Sequence, residues 1–177
     1  MTDSNAEAER ILRARAKALA IPPRRSMSAG AMLELLEFRL ASERYALETR
    51  HVRDVHPLRD LTPLPCTPAF VLGIVNVRGR ILPVLDLKKF FDLPEHGLTD
   101  LHRIILVQEN DLEFGLLADV IVGVRSVAAD SLQPSLPTLT GIRAEYLKGI
   151  GEERLVVLEM ERILADPKII VHQEVES

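Results

Sequence analysis

A single cysteine, Cys66, leaves no partner for an intramolecular disulfide and too few thiolates for a cysteine-based structural zinc site. Tryptophan is absent and aromatic residues make up only 4% of the chain, so an aromatic platform for stacking nucleic-acid bases has little material. No apolar run reaches the roughly 18 residues that a membrane span requires. The N-terminus also lacks the apolar core of a signal peptide, and a reducing cytoplasm is the expected location. No G-x-G-x-x-G or Walker loop supports nucleotide binding, and no G-x-S-x-G elbow supports a serine nucleophile. His51, His56, His96, His102 and His172 show no metal-ligand spacing, so neither a metal nor a cofactor is expected. Excess positive charge is missing too. The first 25 residues carry six Lys/Arg against three Asp/Glu, which leaves the remaining 152 residues at −7 and argues against a nucleic-acid-binding body. Cys66 itself is expected to be a small buried residue.

What is present is aliphatic. The chain is 47% hydrophobic over 177 residues, mostly Val, Ile and Leu, enough for one compact domain or two small intimate ones. Residues 6–20 are rich in Ala, Leu, Arg and Glu and predict a helix, with Leu12 and Leu19 on its narrow apolar stripe. Ile21-Pro22-Pro23 ends it, and a linker follows, so residues 1–31 form an extension. From Met32 onward short apolar runs alternate with turn residues. Leu36, Phe38 and Leu40 alternate with Glu37 and Arg39, the pattern of a half-buried strand, and Tyr45 to Val55 returns the chain. Ile104 to Gln108 and Leu112 to Leu117 predict a second hairpin around Glu109-Asn110-Asp111.

The second hairpin repeats the first. An offset of 69 residues maps Leu36, Phe38, Tyr45, Leu47, Val52 and Val55 onto Ile105, Val107, Phe114, Leu116, Ile121 and Val124, and every position stays apolar. Phe70 to Ile74 then matches Tyr146 to Ile150, and Leu82 to Leu87 matches Leu155 to Met160. A single helical turn or two follows each, with Leu87, Phe90 and Phe91 in one copy and Met160, Ile163 and Leu164 in the other. Asp86 and Glu159 stand where a carboxylate can cap that helix. The expected fold is all-β with short helices: two similar β subdomains, each closing its edges as a small barrel. The first is placed at about 32–101 and the second at about 102–165, with exchange of strands between them left open, and a tail at 166–177. Pro83 predicts an edge or bulged strand. Seven residues separate Ile74 from Leu82 where four separate Ile150 from Leu155, so the first copy carries a longer strand and turn around Arg78-Gly79.

Thr67-Pro68-Ala69-Phe70, Gly73 to Gly79 and Ile81 to Leu87 together resemble the signature of the CheW family, T-P-x-F-x-x-G-x-x-N-x-R-G-x-x-x-P-x-x-D-L, with every fixed position met. The likeness runs from about Met32 to Ala165. It implies two five-stranded SH3-like barrels without catalytic machinery. It also implies an adaptor that joins the regulatory domain of a chemotaxis-type histidine kinase to the cytoplasmic tips of chemoreceptors, located at receptor arrays. Other CheW-like domains are further partners on this reading; nucleic acid and membrane insertion are not. The same fold could serve surface motility or another receptor-linked kinase pathway.

By that resemblance Asp54 and Arg78 form a directional pair beside a receptor-facing groove. The bland alternative is an ordinary surface ion pair worth about 0–1 kcal/mol. Val52, Val55, Val75 and Val77 are candidate groove residues, although alternation requires half of them to point into the core. Asn76 and Gly79 belong to the same insertion. Leu112, Phe114, Val120 and Val122 form the candidate kinase-binding face, with barrel core as the alternative. A distant reading from another class makes His51, Asp54 and His56 the acid–base group of a small hydrolase. The helix at 6–20 is expected to dock on the body or a partner through Leu12 and Leu19, helped by its positive charge. Deleting residues 1–31 should then lower stability or partner affinity; a thermal melt and a binding titration that do not change would reduce the segment to a tail.

Overall fold

The computed structural model describes residues 30–94, 101–109, 111–134 and 144–169. The helix expected at 6–20, with Leu12 and Leu19, lies outside these residues, as does the tail beyond Ile169. Ten strands run β1 Met32–Leu40, β2 Glu43–Glu48, β3 Val52–Pro57, β4 Val71–Val77, β5 Arg80–Leu85, β6 Arg103–Glu109, β7 Leu112–Ala118, β8 Val120–Ala128, β9 Leu147–Ile150 and β10 Val156–Leu158. Two short helices, α1 Leu87–Phe90 and α2 Met160–Leu164, follow β5 and β10. The strands form two five-stranded sheets, ordered β8-β1-β2-β10-β9 and β3-β6-β7-β5-β4.

A boundary near residue 101 does not separate these sheets. The hairpin β1–β2 of the first half is flanked by β8 and β10 of the second, and the hairpin β6–β7 is flanked by β3 and β5 of the first. The strand expected to continue from Tyr45 to Val55 breaks at the 3-10 turn Thr49–His51, which carries the chain into the other sheet. The return crossing is at Asp119, between β7 and β8. Each sheet therefore takes its hairpin from one half and its other three strands from the other half.

Both faces of the inner strands are buried, and alternation sorts their side chains into three cores. Leu36, Phe38, Leu40, Tyr45 and Leu47 meet Ile105, Val107, Phe114 and Leu116 in a large shared core between the sheets. The opposite faces make two smaller cores: Leu35, Ala46, Leu155 and Val157 in the first sheet, and Val75, Leu82, Val84, Ile104, Leu106 and Leu117 in the second. Glu37, read from sequence as the solvent side of a half-buried strand, is only 3% exposed. It is tolerated there because Arg44 Nε donates to it at 2.6 Å and Arg125 Nη1 approaches to 3.5 Å.

Each sheet closes on itself by the same device. The segment after β3 bridges to β4 at Thr62 and Ile74, and the segment after β8 bridges to β9 at Gln133 and Ile150. A glycine makes room in both copies. A Cβ on Gly73 would lie 2.2 Å from the Thr62 carbonyl oxygen, and one on Gly149 would lie 3.0 Å from that of Gln133. Pro83 sits in an interior strand, not an edge; the parallel ladder from β5 to β7 begins one residue later, at Val84, and its partner Ile74 on β4 bonds to Thr62 instead. Asp86 caps α1 by accepting from the Lys88 amide at 2.9 Å, whereas Glu159 makes no such cap. Cys66 is exposed, on a turn with φ 59°, contrary to the buried position expected for it.

The crossing at Asp119 is fastened by charge. Its carboxylate accepts from buried Lys88 Nζ at 2.6 Å and from the Ala41 amide at 2.6 Å, and His102 Nε2 lies at 2.9 Å. Burial alone would raise the Asp119 carboxyl, but Lys88, the Ala41 amide and His102 outweigh it and hold the group below its ordinary 3.8. A carboxyl depressed in the folded state gives stability that is complete above its unfolded value and is lost as pH falls through the folded one. Asp119→Asn should flatten that acid limb and, by leaving Lys88 without its counter-charge, cost roughly 3 kcal/mol at pH 7. Urea unfolding at pH 7 and pH 3 checks both; unchanged stability at pH 7 would contradict this role.

Candidate functional site

Arg78 and Gly79 are the two central residues of the turn between β4 and β5, with Val77 opposite Arg80. Both have positive φ, 53° and 84°, as a type I′ hairpin turn demands. Asn76 Oδ1 accepts from the Gly79 amide at 2.9 Å, so Asn76 and Gly79 shape the loop that presents Arg78. The Arg78 guanidinium reaches Asp54 Oδ2 at 3.0 Å. Asp54 lies on β3 and Arg78 at the end of β4, which are the two outer strands of their sheet, so the pair spans the mouth of the barrel.

His56 Nε2 approaches the same Asp54 oxygen at 3.0 Å, and Asp54 Oδ1 accepts from the Val55 amide at 2.8 Å. That amide first, then the charges of His56 and Arg78, hold the Asp54 carboxyl below its ordinary value against a small opposing effect of burial. Around the pair opens a groove of about 260 Å³. Its rim is charged, with Arg53 and the ion-paired Arg80 and Glu113 beside Asp54, His56 and Arg78, and its floor is Val77, Leu82 and Leu106.

The duplicated strand positions explain why this groove belongs to one barrel. In the first sheet Glu37 on β1 stands opposite Gly123 on β8; in the second, Leu106 on β6 stands opposite Asp54 on β3. The carboxylate has moved from an inner strand to an outer one. Glu37 is buried and occupied by two arginines, its carboxyl lowered chiefly by the Arg44 hydrogen bond against burial. Asp54 keeps a side chain 39% exposed above an apolar floor. One mouth is filled from within, and the other is left open.

Several expected site residues fall elsewhere. Val75 is 2% exposed and belongs to the barrel core, so it offers no groove surface; one-in-two alternation places it there. Val52 and Val55 are half-buried against the shared core, and Val77 is half-buried at the groove. Phe114 is also core, at 4% exposure. Leu112 is exposed, and it borders a separate apolar cavity of about 370 Å³ walled by Val71, Leu85, Leu164 and Ile169. Val120 and Val122 are both 52% exposed and share an outward row with Val124. Leu112 and Phe114 lie in one sheet and Val120 and Val122 in the other, because the chain crosses at Asp119.

His51 does not join Asp54 and His56. It is buried in the 3-10 turn, with Nδ1 2.5 Å from Glu109, and does not line the groove. No serine, threonine or cysteine lines the groove either, so the acid–base cluster imagined from sequence is not assembled. Arg53 and Arg80 were not among the expected site residues, and Glu113 and Val124 fell within the expected Leu112–Val124 face without being singled out. Comparing the copies finds three of them: Glu113 stands where the first hairpin has Arg44, Arg80 where the second half has Glu153, and Val124 continues the alternation of Val120 and Val122.

The model of the CheW-like domain family matches residues 34–168. A chemotaxis protein CheW from Treponema pallidum is 31% identical over 143 residues, covering 77% of this chain and 84% of that one. Protein FrzA from Myxococcus xanthus is 31% identical, with 74% of this chain and 84% of the relative covered. Among solved structures, the scaffolding protein TtCheW from Thermoanaerobacter tengcongensis superposes with a TM-score of 0.67 at 31% identity, over 76% of this chain and 88% of that one.

The assignments of core and surface are separable by mutation. Val75→Asp should unfold the protein, because it buries an unpaired charge. Val122→Asp should shift stability by no more than about 0.5 kcal/mol. Chemical denaturation of both variants distinguishes the two outcomes.

Proposed function

We propose that this chain, which belongs to the CheW-like domain family, is a non-enzymatic adaptor that couples chemoreceptors to a cytoplasmic histidine kinase. The observation that carries the reading is the Asp54–Arg78 pair set across an open groove that the other barrel has closed. A receptor helix meeting this mouth would find a charged rim to orient it and an apolar floor to receive one or two side chains. Three features suit contact with a partner and not chemistry. The groove is small, its carboxylates Asp54 and Glu113 are already paired, and no serine, threonine or cysteine lines it.

The kinase side is assigned to the outward valines of β8. Val120, Val122 and Val124 form an exposed aliphatic row on an outer strand, which can accept a partner's apolar surface or its strand edge. Among the described residues no helix is long and apolar enough to cross a membrane, which fits a protein recruited to receptor arrays through these contacts. A second reading keeps the scaffold and changes the pathway, to surface motility or another receptor-linked kinase system. The FrzA relative favours keeping it, and the identity of the neighbouring genes decides between them.

Arg78→Glu should weaken binding of a receptor cytoplasmic fragment at least about tenfold, because the reversed charge faces Asp54 at the rim. Binding to the kinase regulatory domain and the melting temperature should be preserved, since Arg78 is 76% exposed. A pull-down against both partners, with a thermal melt, makes the measurement. If the wild type binds neither partner, the adaptor reading fails.

A further inference from the structure

Four of the ion pairs that join the two halves of the chain fall into two sets that repeat with their signs reversed. Arg44 on β2 pairs with Glu153 in the loop before β10. The same two positions in the other sheet are Glu113 on β7 and Arg80 at the start of β5, which also pair. At the first crossing Arg50 Nη2 lies 3.1 Å from Glu161 in α2. At the second crossing the matching residues are Asp119 and Lys88 in α1, 2.6 Å apart. The correspondence follows from the duplication itself. An offset of 69 relates Arg44 to Glu113 and Arg50 to Asp119, and an offset of 73 relates Arg80 to Glu153 and Lys88 to Glu161. At these positions the first half is uniformly basic and the second uniformly acidic.

A duplicated chain has a competing fold. The β1–β2 hairpin could pair with β3, β4 and β5 of its own half, and β6–β7 with β8, β9 and β10, because the apolar pattern of the two halves is the same. In that fold Arg44 would face Arg80 and Arg50 would face Lys88. Glu113 would face Glu153, and Asp119 would face Glu161. Every attraction becomes a repulsion. The shared apolar pattern does not by itself separate the two folds, whereas the charges do. Two further links between the halves, Glu37–Arg125 and Glu48–Lys148, would also be lost, since the equivalents of the two cations are His56 and Leu72.

We infer that this sign code specifies the exchange of strands, making each half of the chain the binding partner of the other and excluding self-closed barrels. The exposed pairs contribute little singly, but together with the pair around buried Lys88 they change sign as one and bias the choice by about a hundredfold.

Disulfide trapping in the full chain, with Cys66→Ser, reads the topology directly. Ala46 is the ladder partner of Val157 in the exchanged fold. In a self-closed first half it would meet Val84, because the equivalent of Ala46, Gly115, pairs with Val84. Ala46→Cys with Val157→Cys should therefore cross-link in the native charge background, and Ala46→Cys with Val84→Cys should not. Reversing Arg80, Glu153 and Glu161 puts like charges at three of the four contacts of the exchanged fold, and it leaves Arg44 on Glu37 and Asp119 on Lys88 and the Ala41 amide. That variant should melt lower and shift cross-linking toward the 46–84 pair. Adding Glu113→Arg re-forms the contact with residue 80 and should move cross-linking and the melting temperature back toward wild type.

A three-residue variant that keeps wild-type stability and cross-linking would overturn the inference. So would a variant with Glu113→Arg added that is as damaged as the three-residue one, which also covers the case in which the three-residue protein does not fold.

Discussion

The constraint on which everything else rests is that neither sheet is completed by one half of the chain. Each hairpin, β1–β2 or β6–β7, is held on both sides by strands from the opposite half, so each barrel is built from both halves. The shared core follows from this. The strands that cross between barrels place one face toward their own lumen and the other toward the neighbouring sheet, and the second set of side chains, from Leu36 to Leu164, is the largest apolar cluster in the structure. A pair of small barrels that would each be marginal alone thereby becomes one cooperative unit.

Duplication supplies the scaffold, and departures from duplication supply the site. Gly73 and Gly149, the bridges at Thr62 and Gln133, and the two short helices recur in both copies and serve closure. The differences cluster at one barrel mouth. A buried carboxylate at Glu37 gives way to Leu106, a glycine at 123 gives way to Asp54, and the loop Gly151 to Leu155 gives way to a longer hairpin carrying Arg78. The effect is to empty one mouth and to place an ion pair across it.

Much of this was legible in the residues. Period-two alternation located the hairpins, and the repeat at an offset of 69 gave two copies of one β unit. Arg78-Gly79 was readable as a turn because glycine supplies a conformation that other residues avoid. What local pattern could not carry was the pairing between distant strands. Both halves have the same apolar pattern, so alternation alone left both a division near residue 101 and an exchange of strands open. Burial of Glu37 was hidden for a related reason. A strand covered on both faces by different sheets looks, in sequence, like a strand with one wet side. The split of Leu112 from Val120 likewise depends on one crossing residue, Asp119, whose partners Lys88 and Ala41 are far away in sequence.

The central claim is that this protein bridges two others. The direct measurement is co-sedimentation of a kinase regulatory domain with receptor cytoplasmic fragments assembled on vesicles, with and without the full chain. The account requires the kinase domain to appear in the pellet in proportion to the amount of this protein added. Recruitment that does not depend on this protein, or binding of one partner that excludes the other, would contradict it.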